Sequence, residues 1–294
     1  LLLIVFALKA AILPLQFWLP ATYSAASPPV AALFAVMTKI GTYALLRVYT
    51  TIFGEQAGPL AGMASDWLWP LGLVTIMLGA IGVLASQDFR KLVANLVIIS
   101  VGTLVTLVSL QSIAATSAIL FYTVHSTLVC GALFLLADVI GAQRGKAGDR
   151  LVPGRRMAQP VLLGTMFIIA AIAVAGLPPL SGFVGKLMIL QAASSPLQQI
   201  FLWSVILLSS LMVLIGLSRA GSILFWRVSA QGLFRIVIQR KKVLIFKYRF
   251  RSQLVHTDNY RRRPLVCIRV DVLCYPEMQR RRRRKSGINS LTTL

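Results

Sequence analysis

Acid, cysteine and histidine are all scarce in this sequence. Eight Asp and Glu stand against 30 Lys and Arg in 294 residues, with two His and three Cys. Charged residues make up 13% of the chain, against roughly 25% in a soluble domain. Cys130, Cys267 and Cys274 have no close pairing and no metal-ligand spacing, so neither a disulfide framework nor a zinc site is expected. No GxGxxG, HExxH or CxxC pattern occurs, and no acid pair or nucleophile–base set stands out. Covalent catalysis is therefore not expected of the chain, and no cofactor or metal is implied. Gly185-Lys186 is not a phosphate loop: Leu180 stands where the first glycine belongs and Leu187 where Ser or Thr belongs.

What is abundant is hydrocarbon. Hydrophobic residues make up 57% of the chain, and the mean hydropathy is +0.79. Both point to a bilayer as solvent. Seven apolar segments of spanning length lie near 1–20, 29–53, 67–86, 91–111, 114–140, 158–193 and 200–225. A bilayer core has no water to satisfy lone backbone groups, so these are predicted helices. The chain starts at Leu1 inside an apolar run, and a piece cut from a longer protein is expected.

The net charge of +22 is unevenly spread. Residues 1–227 hold 13 basic and 5 acidic side chains, and residues 228–294 hold 17 and 3. Within the first part, loop 54–66 carries Glu55 and Asp66 and no base. Turn 87–91 after the third span carries Arg90 and Lys91 against Asp88, and loop 141–157 after the fifth carries Arg144, Lys146, Arg150, Arg155 and Arg156 against Asp149. The last span ends at Arg219 and Arg227. Basic and non-basic loops alternate as seven spans require, and the basic ends face the cytoplasm by the positive-inside rule.

Two spans carry interruptions. Pro14 and Pro20 lie in the first, and Gly176-Leu-Pro178-Pro179-Leu-Ser-Gly182 lies in the sixth. Proline removes a backbone donor and clashes with the preceding turn. Broken helices at membrane depth are tolerated where they line a cavity or are buried in protein, and a pair of them points to a transport site between repeats. The competing reading is an ordinary kink.

Four ionisable residues sit within spans: Lys9, Lys39, His125 and Lys186. A lysine at a helix centre costs roughly 2.5–3.5 kcal/mol on insertion scales. Three unpaired would cost roughly 8–10 kcal/mol, comparable with the stability of a whole domain. Such residues mark ion or proton paths. Burial disfavours the charged form of an amine, and imidazole titrates near neutrality, so a hydrated row of these groups is suited to proton relay. Snorkelling to the interface is the alternative for Lys9 and Lys186, and a hydrogen-bonded packing role is the alternative for His125. Arg47 and Asp138 lie near span ends and read as interface anchors.

Several stretches together resemble the antiporter-like subunits shared by Mrp/Pha-type monovalent cation/proton antiporters and respiratory complex I. They are Lys9 to Pro20, Pro28 to Leu33, Thr38 to Arg47, Gln87 to Leu92, Val124 to Leu128 and Gly176 to Lys186. Ala137 to Ile140, Gly216 to Ser222 and Phe225-Trp226 resemble the D-type subunits within that family. The resemblance implies an all-α polytopic membrane protein, an antiporter-like bundle with two discontinuous helices, and a 14-helix inverted-repeat fold of which this is a fragment. Residues 1–53 would end the first repeat and 54–227 would form the second. It implies a proton-conducting membrane subunit of a multi-subunit Na⁺ or K⁺/proton antiporter in the bacterial inner membrane. Its partners would be other antiporter subunits, the bilayer, protons and Na⁺ or K⁺, with no nucleic acid expected. The alternative is a proton-pumping subunit of NADH:quinone oxidoreductase or a membrane hydrogenase. Lys9, Lys39, His125 and Lys186 match the family's central polar axis. The family's glutamate partner for Lys9 belongs on an earlier helix, and Ala21-Thr22 stand where many relatives carry an acid.

The likeness stops near Arg227. Residues 228–294 carry Arg261 to Arg263 and a run from Arg280 to Lys285. This basic tail reads in three ways: a surface for nucleic acid or anionic lipid, a disordered extension, or a frame-shifted stretch. The abrupt end of the likeness favours the last.

Overall fold

The computed structural model of the chain describes residues 2–53, 58, 65–155 and 157–226. Glu55, Arg156, Arg227 and the tail 228–294, with the readings given for them, lie outside the described residues. Among the described residues the regular structure is helical, apart from one isolated bridge between Asp88 and Arg150. In chain order the helices are α1 (Leu2–Ala10), α2 (Trp18–Ala25), α3 (Pro28–Thr51), α4 (Ser65–Ala85) and α5 (Phe89–Ser109). Then come α6 (Ile113–Arg144), α7 (Pro160–Ala175), α8 (Ser181–Gln191) and α9 (Pro196–Gly221), which runs into a π turn over Ser222–Trp226.

Local chemistry sets the helix starts. α3, α7 and α9 each begin on proline, whose missing N–H is not needed in a first turn. Ser112 and Ser195 accept bonds from Ala115 N (3.0 Å) and Gln198 N (3.3 Å), which caps α6 and α9. Two boundaries differ from the hydropathy reading. Pro20 does not end the first span but sits in the first turn of α2, where proline is tolerated. α6 runs on to Arg144; its 32 residues span about 48 Å at 1.5 Å per residue. That exceeds a hydrocarbon core of roughly 30 Å, so the helix is longer than one crossing needs.

Five of the helices are long and apolar enough to cross a membrane: α3, α4, α5, α6 and α9. α1 with α2 and α7 with α8 form two further pairs of short helices, each pair broken between its halves. α5 is the central post. It is 89% buried over its apolar window, while the other four crossing helices are 33–44% buried. α4 lies along it with almost no gap. A Cβ at Gly72 would fall 2.2 Å from Thr106 Oγ1, and one at Gly102 would fall 2.9 Å from Ile76 Cγ1. Small residues let helices meet closely where the lipid supplies no hydrophobic drive between them. The outer faces are apolar and exposed, as at Leu33, Val124, Leu128 and Ile200.

The basic end is tied together by backbone and guanidinium bonds. Arg144, buried on α6, donates to the carbonyls of Gly148 (2.9 Å), Arg150 (2.7 Å) and Val152. That loop returns to the start of α5 through Phe89 N to Asp149 O (2.8 Å) and Leu151 N to Gln87 O (2.7 Å). Arg90 pairs with Asp149 at 2.9 Å and reaches the carbonyl of Ala26 at 3.2 Å. Burial alone would raise the Asp149 carboxyl, but the bond and charge of Arg90 hold it below the usual carboxylate range.

Candidate functional site

Of the four ionisable residues singled out, three lie within the bundle and one lies on its outside. Lys39 is 2% exposed. Its ammonium donates to Ser100 Oγ on α5, and Ser100 Oγ donates onward to Val97 O at 2.7 Å. Thr38 and Thr42 flank Lys39 but donate to the carbonyls of Ala35 (3.0 Å) and Lys39 itself (2.8 Å). The Cys130 thiol lies within electrostatic range of the amine. No carboxylate meets it: the ion pairs among the described residues are Arg90–Asp149 and Lys91–Asp88.

Lys186 and His125 are held by the break between α7 and α8. In an unbroken helix the carbonyls of Val174 and Ala175 would accept from residues 178 and 179. Both are proline and have no N–H. Leu177 N–H turns to Ile172 O at 3.2 Å, which leaves Ala173 O without a helical donor as well. Three carbonyls are thus released at the negative end of the α7 dipole. Lys186 Nζ donates to Ala175 O at 2.7 Å and to Ser210 Oγ of α9 at 2.7 Å. Ala173 O and the His125 ring both lie against Gly182. His125 Nδ1 lies 3.0 Å from Ser181 Oγ, the first residue of α8. The approach depends on Gly182, where a Cβ would fall 1.8 Å from Ala173 O and 3.0 Å from His125 Nε2.

α5 stands between the two amines. Ser100 and Thr103 lie one turn apart on the same stripe, and Thr103 lies beside Tyr122 of α6. Thr103, Tyr122, Lys186, Ser209 and Ser210 share a cavity of about 20 Å³, room for roughly one water. Lys39, Ser100, Thr103, Tyr122, the cavity and Lys186 thus lie in succession through an apolar bundle. The Ser100 and Thr103 hydroxyls are turned to Val97 O and Ile99 O.

Lys9 is not part of this succession. It lies exposed on the last turn of α1, with its stem against Gly41 of α3. Pro14 lies in the 11–17 break between α1 and α2, which is tied to α4 by Leu13 N to Thr75 Oγ1 (3.2 Å). Sequence reasoning passed over Ser100, Thr103, Ser181 and Ser210. A signal for the first two was available: Ser100, Thr103 and Thr106 recur every three residues along an otherwise apolar segment.

Residues 1–215 match the family described as "NADH:quinone oxidoreductase/Mrp antiporter, TM". The chain is 35% identical over 268 residues to the D-type subunit of the probable K(+)/H(+) antiporter of Rhizobium meliloti (strain 1021), covering 80% of this chain and 49% of that protein. It is 40% identical over 227 residues to the D-type subunit of the Na(+)/H(+) antiporter of Bacillus subtilis (strain 168), covering 77% and 45%. The Mrp complex from Dietzia sp. DQ12-45-1b contains a chain with 28% identity and a TM-score of 0.66, covering 76% of this chain and 41% of that one. Respiratory complex I from Thermus thermophilus with bound NADH shares the fold, at 24% identity, a TM-score of 0.66 and coverage of 81% and 51%. The chain spans about half the length of the curated relatives it matches.

Proposed function

The chain belongs to the NADH:quinone oxidoreductase/Mrp antiporter transmembrane family, and from that premise we propose that it is the proton-conducting D-type subunit of a multi-subunit cation/proton antiporter. The cations are Na⁺ or K⁺, the two named for its relatives. Its partners are other membrane subunits of the antiporter, and its place is the bacterial inner membrane. Residues 1–53 end one inverted repeat and residues 54–227 form the next, with protons passing along Lys39, His125 and Lys186. The chain does no covalent chemistry of its own.

The observation that carries this reading is the pair of amines Lys39 and Lys186. Among the described residues neither has a carboxylate partner. Each is held by neutral acceptors, a serine hydroxyl for Lys39 and a carbonyl with a serine hydroxyl for Lys186. A structural role would be better served by apolar side chains, since an uncompensated buried charge is costly. Neutral acceptors stabilise an ammonium less than a carboxylate does, which lets the proton leave. In inverted vesicles carrying the intact protein and its partner subunits, adding Na⁺ or K⁺ collapses an imposed proton gradient. Lys39→Ala abolishes that collapse with no change in subunit assembly. Unchanged flux would remove Lys39 from the mechanism, and flux that needs a redox donor would favour a respiratory complex instead.

A further inference from the structure

A cleft of about 700 Å³ opens at the basic end, between the last turns of α4 and α9, the first turn of α5 and the 150–152 loop. Lys91, Arg150 and Arg219 line it, with Asp88 as its one acid. Asp88 is taken by Lys91 at 2.8 Å. Arg219 reaches across to the Ser86 carbonyl at 2.6 Å and so fixes its guanidinium at the cleft. Arg150 is exposed, and its side chain makes no ion pair among the described residues. The cleft therefore has a surplus of two positive charges.

The walls below it are apolar. Leu211 and Ile215 stand two turns and one turn below Arg219 on the same face of α9, and are 53% and 51% exposed. Leu78 and Ile81 stand one turn below Gly82 and Ala85 of the cleft on α4, at 37% and 51%. A basic pocket thus sits at the end of α4 and α9 above exposed apolar side chains of both helices. That is the shape and polarity of an anionic amphiphile. The chain's own tail does not fit, because residues 228–294 carry 17 bases against 3 acids.

We propose that this cleft binds the phosphate headgroup of an anionic phospholipid of the cytoplasmic leaflet, with its acyl chains along α4 and α9. Basic pockets between transmembrane helices on that side recognise such headgroups. The site is independent of the transport reading, since none of its residues belongs to the Lys39–Lys186 succession.

The test uses the intact protein in detergent, delipidated and then offered phosphatidylglycerol or phosphatidylcholine, with bound lipid counted by native mass spectrometry. Wild type retains phosphatidylglycerol preferentially. Arg150→Gln lowers that retention about fivefold, and Arg150→Gln with Arg219→Gln lowers it about fivefold further. Arg150 is exposed, so its single variant reports even if the double variant folds poorly. Lys146→Gln, at the same end but outside the cleft, retains wild-type binding. Equal retention of the two lipids, or equal loss in Lys146→Gln, would overturn the site in favour of diffuse surface charge. Displacement of the lipid by millimolar inorganic phosphate would make it a free-anion site. An acidic segment of a partner subunit occupying the cleft in the assembled complex, detected by cross-linking from position 150, would also overturn it.

Discussion

Ser100 carries more than its size suggests. It is a small hydroxyl on the most buried helix, and it accepts from the Lys39 ammonium while donating to Val97 O. Replacing it by alanine removes the amine's acceptor, and the buried charge then lacks compensation from any described neighbour. A hydrogen bond to a charged group is worth about 1.5–3 kcal/mol. Lost from a transfer barrier, that is roughly a tenfold or greater fall in rate. Ser100→Ala should therefore lower cation-driven proton flux by roughly tenfold, and Ser100→Thr, which keeps the hydroxyl, should keep the flux. Stopped-flow quenching of a pH dye in vesicles separates the two variants. Lys39 could be read from the sequence because a lysine in a long apolar run violates a strong rule. Ser100 could not, because serine in a transmembrane helix is common and bonds its own backbone as a matter of course.

At the scale of the helix, the consequential feature is the Pro178-Pro179 pair. Its effect is exerted four residues upstream, where Val174 and Ala175 lose their donors and Ala175 O becomes available to Lys186. The same break lets Gly182 bring α8 against the Ala173 carbonyl beside His125. Substituting both prolines by alanine returns two N–H groups to the chain. Ala175 O can then accept from residue 179, α7 and α8 gain the option of running as one helix, and Lys186 loses its carbonyl. Flux should fall roughly tenfold or more, as for any lost bond to a charged group, while the protein still co-purifies with its partners. Wild-type flux in this variant would mean that the carbonyl is incidental to Lys186. The prolines are visible in the sequence, but the destination of the carbonyls they release is not. It depends on α6 and α9, which bring His125 and Ser210 to the break from 50 residues upstream and 30 downstream, roughly.

For the whole molecule, helical class was legible because a bilayer leaves few choices: long apolar runs must be helices. What hydropathy does not encode is which span is central. α5 is no more apolar than α9 by mean hydropathy, 2.2 against 2.5, yet it is 89% buried against 33%. The difference lies in small residues and hydroxyls. Gly102 and Thr106 on α5 meet Gly72 on α4, and Ile99 and Asn95 meet Gly79, while α9 turns bulky Leu207, Leu208, Leu211 and Ile215 outward. The architecture also fixes an orientation that can be measured. The ends that carry Arg90, Lys91, Lys146, Arg150 and Arg219 are drawn together by the Arg144 and Arg90 bonds, whereas the α5–α6 turn at Gln111-Ser112 has no charge. Lys146 lies one helix length away from that turn along α6. With the native cysteines replaced by serine, Lys146→Cys should react with a membrane-impermeant maleimide only in inverted vesicles, and Gln111→Cys only in right-side-out cells. Both positions lie in turns at helix ends, so neither substitution disturbs the packed core. Labelling of the two from the same side would break the alternation on which the seven crossings rest, and the opposite pattern would invert the molecule and move the basic cleft to the outer leaflet.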